Sequence, residues 1–466
     1  MKGVSEQALA ATVPPSVMQL CEKLGAAGYG AWCVGGAIRD AILKQWDATR
    51  TCAIGDWDIA SSATPEQVGA LFRRVIPSGI KHGTVTVLLQ DRSVEVTTLR
   101  GEKGFSDGRR PDTVFFVDDI REDLARRDFT VNAIAFDPTS KAVLDPFRGL
   151  EDLDRKVLRA VGNPTERFLE DGLRVLRAAR FAATLDFDVE AETRAAMRPS
   201  LGSYAKVSAE RIREEWVKAL KAPSPSRAFG IMLEQGLLEI TAPELAQMYQ
   251  CEQNRYHRFD VWEHTMRTLD EVDVTSLPLR LAALFHDVGK PSSRALNPST
   301  GDFTFHDHEI KGAQITDAAM RRLKFPNDMR EHVVALVRHH LVVYSEDWTD
   351  SAVRRWLTRV TPNRYEEVLE LARADVLAKG TNADSQLRDL AALASRIREM
   401  LASKQALSLR DLAITGNQLI DALSISPGPI VGRVLHALLD EVLEAPERNE
   451  RERLLDRARE LHKSFS

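Results

Sequence analysis

The sequence predicts an α+β protein, in which an N-terminal unit with a mixed β-sheet is followed by an all-helical body. Two observations lead to this fold class. Over residues 1–150, short β-branched runs alternate with glycine-containing turns, which is typical of strands. From about Glu151 onward the pattern becomes almost wholly helical, rich in Leu, Ala, Arg and Glu. The predicted strands are AWCVGG, DWDIA, GTVTVLLQ, SVEVTTL and TVFFV.

The composition is that of a globular protein: 466 residues, 44% hydrophobic and 28% charged, enough for two to four domains. Apolar runs are too short to span a membrane, and the N-terminus lacks the apolar core of a secretory signal, so we expect a cytoplasmic protein with no membrane partner. The net charge of −5 gives no global attraction to nucleic acid, so RNA contacts must come from local basic patches. Irregular spacing predicts free thiols at Cys21, Cys33, Cys52 and Cys251.

The first candidate site is the pair Asp56 and Asp58 in DWDIA. On a strand both would project to one face, with Trp57 turned to the other, and two such carboxylates can hold Mg²⁺. Bound magnesium can activate an attacking hydroxyl and stabilise leaving pyrophosphate. Glu95, outward-facing in SVEVTTL, is a candidate third carboxylate from a neighbouring strand. Taken alone, D-x-D is more often a solvated surface pattern.

The segment VGGAIRD, some twenty residues earlier, changes that interpretation. It places two glycines between a short strand and a helix opened by Ala37, where backbone N–H groups can receive phosphate oxygens. Gly36 and Arg39 would then cradle a triphosphate. A Gly-Gly pair alone is usually a tight turn, but the combination of strand, Gly-Gly, helix with Arg and D-x-D is far more specific.

Two arginine-rich segments follow. LARRDFTVNAIAFD (124–137) places Arg127 and its neighbours ahead of an alternating apolar run, and an ordinary solvated charge cluster is the alternative interpretation. RFLEDGLRVLRAARFAATL (167–185) is predicted to be one amphipathic helix, on which Asp171 and Arg174 are i,i+3 neighbours and Arg177 and Arg180 lie further round.

Asp171 and Arg174 could form a surface salt bridge or read a base. Cytosine and adenine both present an exocyclic amino donor beside a ring-nitrogen acceptor, which a carboxylate and a guanidinium complement. Uracil and guanine reverse that order, so the pair would select C and A. A lone salt bridge on a helix would contribute only about 0.2–0.5 kcal/mol.

VGGAIRD, GDWDIA, RRDFTVNAIAFD, DPFRGLEDL and RFLEDGLRVLRAARFA occur in the order seen in class II tRNA nucleotidyltransferases. The chain resembles these CCA-adding enzymes of the polymerase-β-like superfamily over roughly its first 220 residues. The resemblance implies a nucleotidyltransferase head that adds C, C and A to the 3′ end of tRNA from CTP and ATP without a template. It also implies that Asp56 and Asp58 hold Mg²⁺, that Gly36, Arg39 and Arg127 contact the nucleotide, and that the base site is lined by Asp171, Arg174, Arg177 and Arg180.

Related activities are alternatives within that family. The segment between motifs at 97–116 is full-length, which disfavours CC-only addition, and the mixed charge of the C-terminus disfavours poly(A) synthesis. A-only addition stays open, because such enzymes keep the same loop. The connector KQWDATRTCAI (44–54) is longer than usual, and Trp57 replaces a smaller residue, which leaves the local loop geometry open.

A histidine-rich stretch carries the second candidate site. His264, the adjacent His286 and Asp287, and Asp375 stand in the order of the HD superfamily of metal-dependent phosphohydrolases, with further candidates at His308 and at His339 or His340. The resemblance implies a transition metal that activates water against cyclic phosphates or phosphomonoesters of damaged tRNA ends. The remaining histidines in the stretch, at 257, 306 and 332, are interpreted as structural or surface residues.

These patterns predict four regions: a nucleotidyltransferase head (1–150), a helical neck with the base-selecting helix (151–250), an HD domain (251–380) and a helical tRNA-binding region (381–466). Two rival hypotheses are an HD phosphohydrolase with a degenerate head and a non-enzymatic RNA-binding scaffold. The sequence does not predict the oligomeric state.

Overall fold

The computed structural model describes residues 2–49, 54–79, 83–103, 113–255, 257–380, 383–402 and 407–465. The chain divides into two compact units, Met1–Thr241 and Ala242–Ser466. The first unit contains a large mixed sheet and the helices that follow it, and the second is mainly helical. The α+β class is therefore confirmed. The division into four regions is finer than these two units and stays a prediction.

The N-terminal unit is built around a seven-stranded sheet. In chain order the strands of this unit are β1 (Ala31–Val34), β2 (Asp58–Ser61), β3 (Val75–Gly79), β4 (Thr84–Leu88), β5 (Ser93–Thr98), β6 (Arg100–Lys103), β7 (Thr113–Phe116), β8 (Ala135–Asp137), β9 (Ala142–Leu144), β10 (Val157–Leu158) and β11 (Asp188–Val189). The large sheet has the order β3-β4-β5-β2-β1-β8-β9, while β6 pairs with β7 and β10 with β11. β2 and β5 are parallel and the other neighbours in the large sheet are antiparallel, so the sheet is mixed.

Each of the five predicted strand segments contains a strand, but β3, β6, β8, β9, β10 and β11 were not predicted. β3 has the sequence VIPSG and is largely exposed, so it lacks the apolar alternation typical of strands, and its Pro and Gly are residues depleted in strands. β8 lies at the end of the alternating apolar run in 124–137, which was not assigned to a strand, and β9 has only three residues, too few for a period of two to be recognised.

The helices of this unit are α1 (Glu6–Thr12), α2 (Pro15–Ala26), α3 (Gly36–Trp46), α4 (Pro65–Leu71), α5 (Ile120–Ala125), α6 (Gly149–Arg155), α7 (Pro164–Glu170), α8 (Leu173–Leu185), α9 (Ala191–Met197), α10 (Leu201–Tyr204), α11 (Ala209–Leu220), α12 (Ser226–Glu234) and α13 (Leu237–Thr241). α8 packs against both α11 and α12. The aromatic rings of Trp216 and Phe229 meet edge to face in this helical layer, with centroids 5.1 Å apart. The segment 220–227 (LKAPSPSR), rich in Pro and Ser, separates two helices, since α11 ends and α12 begins within it.

A buried apolar layer supports the part of the sheet that carries the candidate site. Val34 at the end of β1 and Ala60 in β2 pack with Leu99, Leu124 and Ala133 in one core cluster. Along β5, buried and exposed side chains alternate, because successive residues of a strand face opposite sides of the sheet. One face of the sheet is thus fixed by the core while the other presents polar side chains.

The C-terminal unit contains α14 (Pro243–Ala246), α15 (Val261–Glu271), α16 (Leu277–Phe285), α17 (Lys290–Ser293), α18 (His308–Arg322), α19 (Asn327–His339), α20 (Asp350–Val360), α21 (Tyr365–Ala378), α22 (Asp384–Ala402), α23 (Gly416–Leu423), α24 (Pro429–Glu444) and α25 (Arg451–Phe465), with one hairpin of β12 (Arg294–Leu296) and β13 (Phe303–Phe305). α15 packs against α16 and α21, and α19 packs against α16 and α18. The segment SISPGPIVG (424–432) contains the turn between α23 and α24.

Two expectations from composition can be compared with the described residues. Cys21, Cys33 and Cys251 are buried free thiols, whereas Cys52 lies outside the described part of the chain. Among the helices of the described residues, none combines the length and apolar character that a membrane-spanning segment requires.

Candidate functional site

A glycine turn after β1 forms one wall of a cleft in the N-terminal unit. Gly35 caps the N-terminus of α3 with φ +79°, a backbone conformation that costs glycine little. A Cβ atom on Gly35 would lie 3.3 Å from Nη1 of Arg127 and 3.6 Å from Oδ2 of Asp58. Because glycine has no Cβ atom, this turn can lie close to Arg127 and Asp58 at the same time. α3 begins at Gly36, one residue before the predicted Ala37.

Three carboxylates, Asp56, Asp58 and Glu95, line the same cleft. Asp58 is the first residue of β2 and lies in register with Glu95 on the parallel strand β5. The prediction that Asp56 belongs to the strand is wrong: β2 begins at Asp58, and Asp56 lies in the loop before it. Trp57 between them is buried, while both aspartates line the cleft.

Asp58 is ionised with difficulty in this setting. Burial raises the pKa of Asp58 to about 6, Arg127 opposes that rise, and the charges of Glu95 and Asp56 add to it. A group of clustered, partly buried carboxylate oxygens fits a hard divalent cation such as Mg²⁺, because the cation would relieve their mutual repulsion.

A chain of hydrogen bonds connects Arg39, Asn132, Asp128 and Arg177. Arg39 donates from Nη1 to Oδ1 of Asn132 (2.6 Å), whose Nδ2 donates to Oδ1 of Asp128 (3.0 Å). Arg177 donates to Oδ2 of Asp128 from Nε (2.8 Å) and Nη2 (2.5 Å). Although burial raises the pKa of Asp128, the charge of Arg177 and the hydrogen bonds hold it well below its usual value. These hydrogen bonds therefore hold the guanidinium groups of Arg39 and Arg177 in place in the cleft, and Arg177 balances the charge of Asp128.

The ring of Phe181 lies among three guanidinium groups. The Cζ atoms of Arg39 and Arg177 are each 5.2 Å from its centroid, and that of Arg180 is 3.5 Å away. Cation–π attraction of this kind holds arginines without occupying their N–H donors. Arg180 also donates from Nε to Glu215, and burial lowers the pKa of Arg180 to about 10.

The cleft has a volume of about 790 Å³, within the usual range for a small-molecule site. We call Asp56, Asp58 and Glu95 the acidic trio. The cleft is also lined by Gly35, Gly36 and five cationic side chains: Arg39, Arg127, Arg177, Arg180 and Lys218. Nε of Arg127 is buried, and no hydrogen-bond partner for it occurs within the described part of the chain. Carboxylates for a metal and cationic donors for phosphates thus meet in one place.

The prediction of one helix over residues 167–185 is wrong. α7 ends at Glu170, α8 begins at Leu173, and Asp171 between them is extended, with φ −143° and ψ 104°. At the adjacent Gly172, a Cβ atom would lie within 2.5 Å of backbone atoms of residues 203–204, so the chain bends where glycine permits close packing. Asp171 and Arg174 are therefore not neighbours on one helix.

The structure gives the predicted base-site residues different partners. Asp171 accepts hydrogen bonds from Arg211 and from the backbone N–H of Leu173. Arg174 donates to Oε2 of Glu170 (2.7 Å) and to the backbone carbonyls of Arg167 (3.1 Å) and Arg126 (2.7 Å). Arg177 and Arg180 line the cleft, whereas Asp171 and Arg174 do not.

Sequence reasoning missed several side chains that organise this site. Asn132 and Phe181 lie inside segments it had selected, but nothing in their local pattern distinguishes them from core residues. On α11, Arg211, Glu215 and Lys218 follow each other at i, i+4 and i+7, a spacing that indicates one helix face. Together with the arginines of α8, this charged face indicates from the sequence that the two helices contact each other through charged side chains.

A second cluster of ligand-type side chains lies in the C-terminal unit. Potential ligand atoms come together in two groups, one of His264, His286 and Asp375 and the other of Asp287, His308 and His340. Within the first, Nε2 of His264 is 2.8 Å from Oδ1 of Asp375 and 3.4 Å from Nε2 of His286. Oδ2 of Asp287 is 3.2 Å from Nε2 of His286, so the two groups adjoin. We call these six residues the histidine cluster.

Backbone contacts orient the imidazoles of the histidine cluster. His286, His308 and His340 each place Nδ1 at 2.7–2.8 Å from a carbonyl oxygen three residues earlier. With Nδ1–H donating there, the lone pair on Nε2 is available for a metal ion. Gly289 permits the close approach of α18, because a Cβ atom on it would lie 2.1 Å from the carbonyl oxygen of His308. The donor set therefore fits a transition metal.

The charges within the cluster are strongly coupled. Burial lowers the pKa of His286, but the carboxylates of Asp287 and Asp375 outweigh burial and raise it to about 10. Burial, with the charges of His286 and His308, lowers the pKa of His340 to about 3. Nζ of Lys290 lies 2.6 Å from Oδ2 of Asp287. A metal ion would therefore compete with protons for these ligands.

The structure distinguishes between the remaining histidines. His340 belongs to the cluster, whereas its neighbour His339 lines a different surface cavity. His332 pairs with Glu367 at 2.6 Å, consistent with an ordinary surface role. The ring centroid of His257, interpreted from the sequence as an ordinary residue, lies 4.9 Å from that of His264.

The fold and the cleft define a nucleotidyltransferase head, and comparison with protein families agrees. Residues 31–159 match the poly(A) polymerase head domain, residues 186–249 match the model for an RNA- and SrmB-binding site of polymerase A, and residues 306–458 match tRNA nucleotidyltransferase domain 2. The first match covers the glycine turn and the acidic trio, and the third covers part of the histidine cluster.

Curated relatives make the assignment more specific. The CCA-adding enzyme of Pediococcus pentosaceus is 33% identical over 442 residues, which are 95% of this chain and 96% of the relative. That of Lactobacillus johnsonii is 45% identical over 224 residues, 48% of this chain and 54% of the relative, so this alignment spans about half of the relative's length. The chain belongs to the family of CCA-adding enzymes.

A solved structure agrees with this family assignment. The Bacillus stearothermophilus CCA-adding enzyme in complex with CTP matches with a TM-score of 0.71 and 28% identity, covering 97% of this chain and 99% of that one. A CCA-adding enzyme in complex with ATP, 18% identical, matches with a TM-score of 0.60 over 99% of this chain and 98% of the other, which supports the fold alone.

Proposed function

We propose that this chain adds C, C and A to the 3′ end of tRNA from CTP and ATP and releases pyrophosphate. The observation that carries the proposal is the meeting of the acidic trio, the Gly35 turn and the arginines in one cleft. The family assignment supports tRNA as the acceptor. The 3′-hydroxyl of the tRNA attacks the α-phosphate, and the oxygen bridging the α- and β-phosphates leaves with pyrophosphate.

Asp56 and Asp58 would hold Mg²⁺, with Glu95 beside them on β5. When bound, Mg²⁺ supplies positive charge that favours ionisation of the attacking hydroxyl and stabilises the phosphate oxygens. Backbone N–H groups at the start of α3 and the side chains of Arg39 and Arg127 would receive the triphosphate. Hydrogen bonds to Asn132 and Asp128 hold cationic side chains in position before the nucleotide arrives.

Base selection is assigned to Asp171 and Arg174, together with Arg177 and Arg180, which line the cleft. The carboxylate would accept the exocyclic amino group of cytosine or adenine, and the guanidinium would donate to the ring nitrogen. Each member is held by its own partners rather than by the other, so the two groups are positioned independently. Asp171→Ala is expected to relax discrimination against UTP and GTP more than it weakens Mg²⁺ binding; unchanged nucleotide preference would refute this role.

The proposal is tested with purified protein and tRNA lacking its 3′ terminus, supplied with CTP, ATP or both, followed by sequencing of the product ends. We expect CC from CTP alone and CCA from the mixture. Addition only to tRNA that already ends in CC would identify an A-adding enzyme instead. Replacing Asp56 and Asp58 by Ala should abolish incorporation, while Asp91→Ala, an exposed acid paired with Arg92, should leave it intact.

A second activity, metal-dependent hydrolysis of phosphate esters, is proposed for the histidine cluster. The specific observation in its favour is that buried imidazoles already present Nε2 towards carboxylates, as a metal site requires. The substrates would be 2′,3′-cyclic phosphates or phosphomonoesters at damaged tRNA ends. Mn²⁺, Fe²⁺, Ni²⁺ and Zn²⁺ all suit the donor set.

Separate variants distinguish the two activities. His286→Ala with Asp287→Ala should abolish hydrolysis of a 2′,3′-cyclic nucleotide assayed with each metal and preserve incorporation. The variant lacking Asp56 and Asp58 should do the reverse. Hydrolysis without any incorporation by the parent protein would favour the phosphohydrolase with a degenerate head, and absence of both activities would favour an RNA-binding scaffold.

The C-terminal region 381–466 is proposed to hold the tRNA. Arg448, Arg453 and Arg457 line one cavity there together with Glu441, which pairs with two of them. Arginine side chains bind the phosphates of RNA regardless of its base sequence. Charge reversal of the three arginines should weaken tRNA binding in a gel-shift assay without changing incorporation into a short acceptor mimic.

A further inference from the structure

Both terminal nitrogens of the Arg211 guanidinium donate hydrogen bonds to the carboxylate of Asp171. Its Nη1 donates to Oδ1 (3.1 Å) and its Nη2 donates to Oδ2 (2.7 Å). The backbone N–H of Leu173 donates to Oδ1 as well, at 3.0 Å. Both side chains are about one-fifth exposed, so the pair is shielded but can be reached from solvent. A bidentate pair of this geometry fixes the plane of the carboxylate.

These contacts leave little acceptor capacity on Asp171. A carboxylate offers about four acceptor directions, two on each oxygen. Among the described residues, both directions on Oδ1 are used, by Arg211 and Leu173, whereas on Oδ2 one is used, by Arg211. One acceptor direction, on Oδ2, therefore remains for a ligand.

The same face of α11 also holds arginines of the cleft. One turn after Arg211, Glu215 accepts from Nε of Arg180 and lies 3.7 Å from Nη1 of Arg177. α11 packs directly on α8. Opposite charges on one helix thus contact the acidic member of the predicted base site, Asp171, and two of its basic members, Arg177 and Arg180.

We propose that Arg211 is a positioning residue that determines nucleotide specificity. By fixing Asp171 it leaves a single acceptor in a single orientation, which suits the amino group of cytosine or adenine. Uracil and guanine place a ring N–H donor at a different position, and a carboxylate free to rotate could accept from it. This inference rests on the proposed nucleotidyl transfer and adds the residue that makes Asp171 selective.

The test measures kcat/KM for CTP, ATP, UTP and GTP on tRNA lacking its 3′ terminus, for the parent, Arg211→Ala and Arg211→Lys. Losing a bidentate charged contact should lower the ratio of kcat/KM for CTP to that for UTP about tenfold or more. Arg211→Lys keeps the charge but cannot make both contacts, so it should restore discrimination only in part.

Two controls separate positioning from general stability. Arg194→Ala removes another two-point contact, with Glu234 outside the cleft, and should leave discrimination unchanged. In an Asp171→Ala background, Arg211→Ala should have no further effect on discrimination, because it acts through that carboxylate. If Arg211→Ala does not fold, Arg211→Lys and equilibrium binding of CTP and UTP to it provide the same comparison.

Parental discrimination in both Arg211 variants would overturn the inference. So would an equal loss of discrimination on adding Arg211→Ala to the Asp171→Ala variant, since Arg211 would then act independently. Failure of the parent protein to incorporate CTP at all would count against the proposed function instead, so the two failures are distinguishable.

Discussion

Asp58 combines three roles that are usually separated: it starts a strand, lies beside another carboxylate across the ladder, and faces Arg127 near a glycine turn. Its ordinary pKa of 3.8 rises to about 6, first because of burial. Without metal, the protonated form therefore stabilises the fold at low pH, and this contribution is lost as the pH rises from about 4 through 6.

We expect Mg²⁺ to compete with the proton on Asp58. Below pH 6, the Mg²⁺ concentration for half-maximal incorporation should rise about tenfold for each pH unit. Titrations of Mg²⁺ between pH 5 and 7.5 check this dependence. In the absence of Mg²⁺, Asp58→Asn should flatten the decrease of melting temperature between pH 4 and 6. A half-saturation concentration independent of pH would contradict the assignment.

Gly35 provides a second prediction, with Gly28 as its matched control. Both have positive φ, +79° and +88°, but a Cβ atom meets Arg127 and Asp58 only at Gly35 and finds nothing within 4 Å at Gly28. Each change to Ala should cost about 1–2 kcal/mol of unfolding free energy through backbone strain. Only Gly35→Ala should also raise KM for nucleotides, as measured by steady-state kinetics; equal kinetic effects at both glycines would exclude a specific role for the turn.

At the scale of elements, the interruption between α7 and α8 decides where Asp171 lies. A continuous helix would have put Asp171 and Arg174 on one surface, whereas the interruption turns Asp171 towards α11. Local periodicity could not reveal this, because the pattern of leucines and alanines continues through the interruption. The cause is Gly172 and its contact with backbone atoms near the C-terminus of α10.

Gly172→Ala should therefore destabilise the N-terminal unit and disturb base selection together. A Cβ atom 2.4 Å from backbone carbon and oxygen of Ser203 forces the chain to move, at a cost of about 1–3 kcal/mol. Denaturant unfolding and the CTP to UTP ratio measure the two effects. Gly202→Ala, in the neighbouring helix with nothing within 4 Å, is the control and should affect neither.

Which residues form the histidine cluster also depends on how the helices pack. Sequence order alone proposed His264, His286, Asp287 and Asp375 as one ligand set. In the structure, Oδ2 of Asp287 lies 3.2 Å from Nε2 of His286, and Asp287 also groups with His308 and His340, which come from the start of α18 and the end of α19. Which of two adjacent histidines turns inward depends on how these helices pack, so the choice between His339 and His340 was not available from the sequence.

For the whole molecule, two compact units each carry their own candidate site. Thermal unfolding followed by calorimetry should then depend on metal in a unit-specific way, because an ion that binds only the folded state stabilises the unit that holds it. Mn²⁺ or Ni²⁺ at 100 times its dissociation constant should stabilise the C-terminal unit by about 2.7 kcal/mol.

His286→Ala should abolish that stabilisation, while His332→Ala, which removes a histidine paired with Glu367, should preserve it. Since the pKa of His286 is raised to about 10, a metal must displace its proton. The stabilisation should therefore shrink as the pH falls from 8 to 6. Equal stabilisation of the His286→Ala protein would show that the metal binds elsewhere.

The sequence by itself determined the α+β class, the glycine turn, the acidic pair and the order of the histidine motifs, because each depends on residue types a few positions apart. Only the tertiary structure decided that Asp171 is held by Arg211, that Arg180 is held by Glu215, and that His340 rather than His339 joins the cluster. The members of each ion pair lie 35 or more residues apart in the sequence, and the residues of the histidine cluster lie on separately packed helices. Their contacts therefore depend on tertiary packing, which the residue pattern of a short segment does not predict.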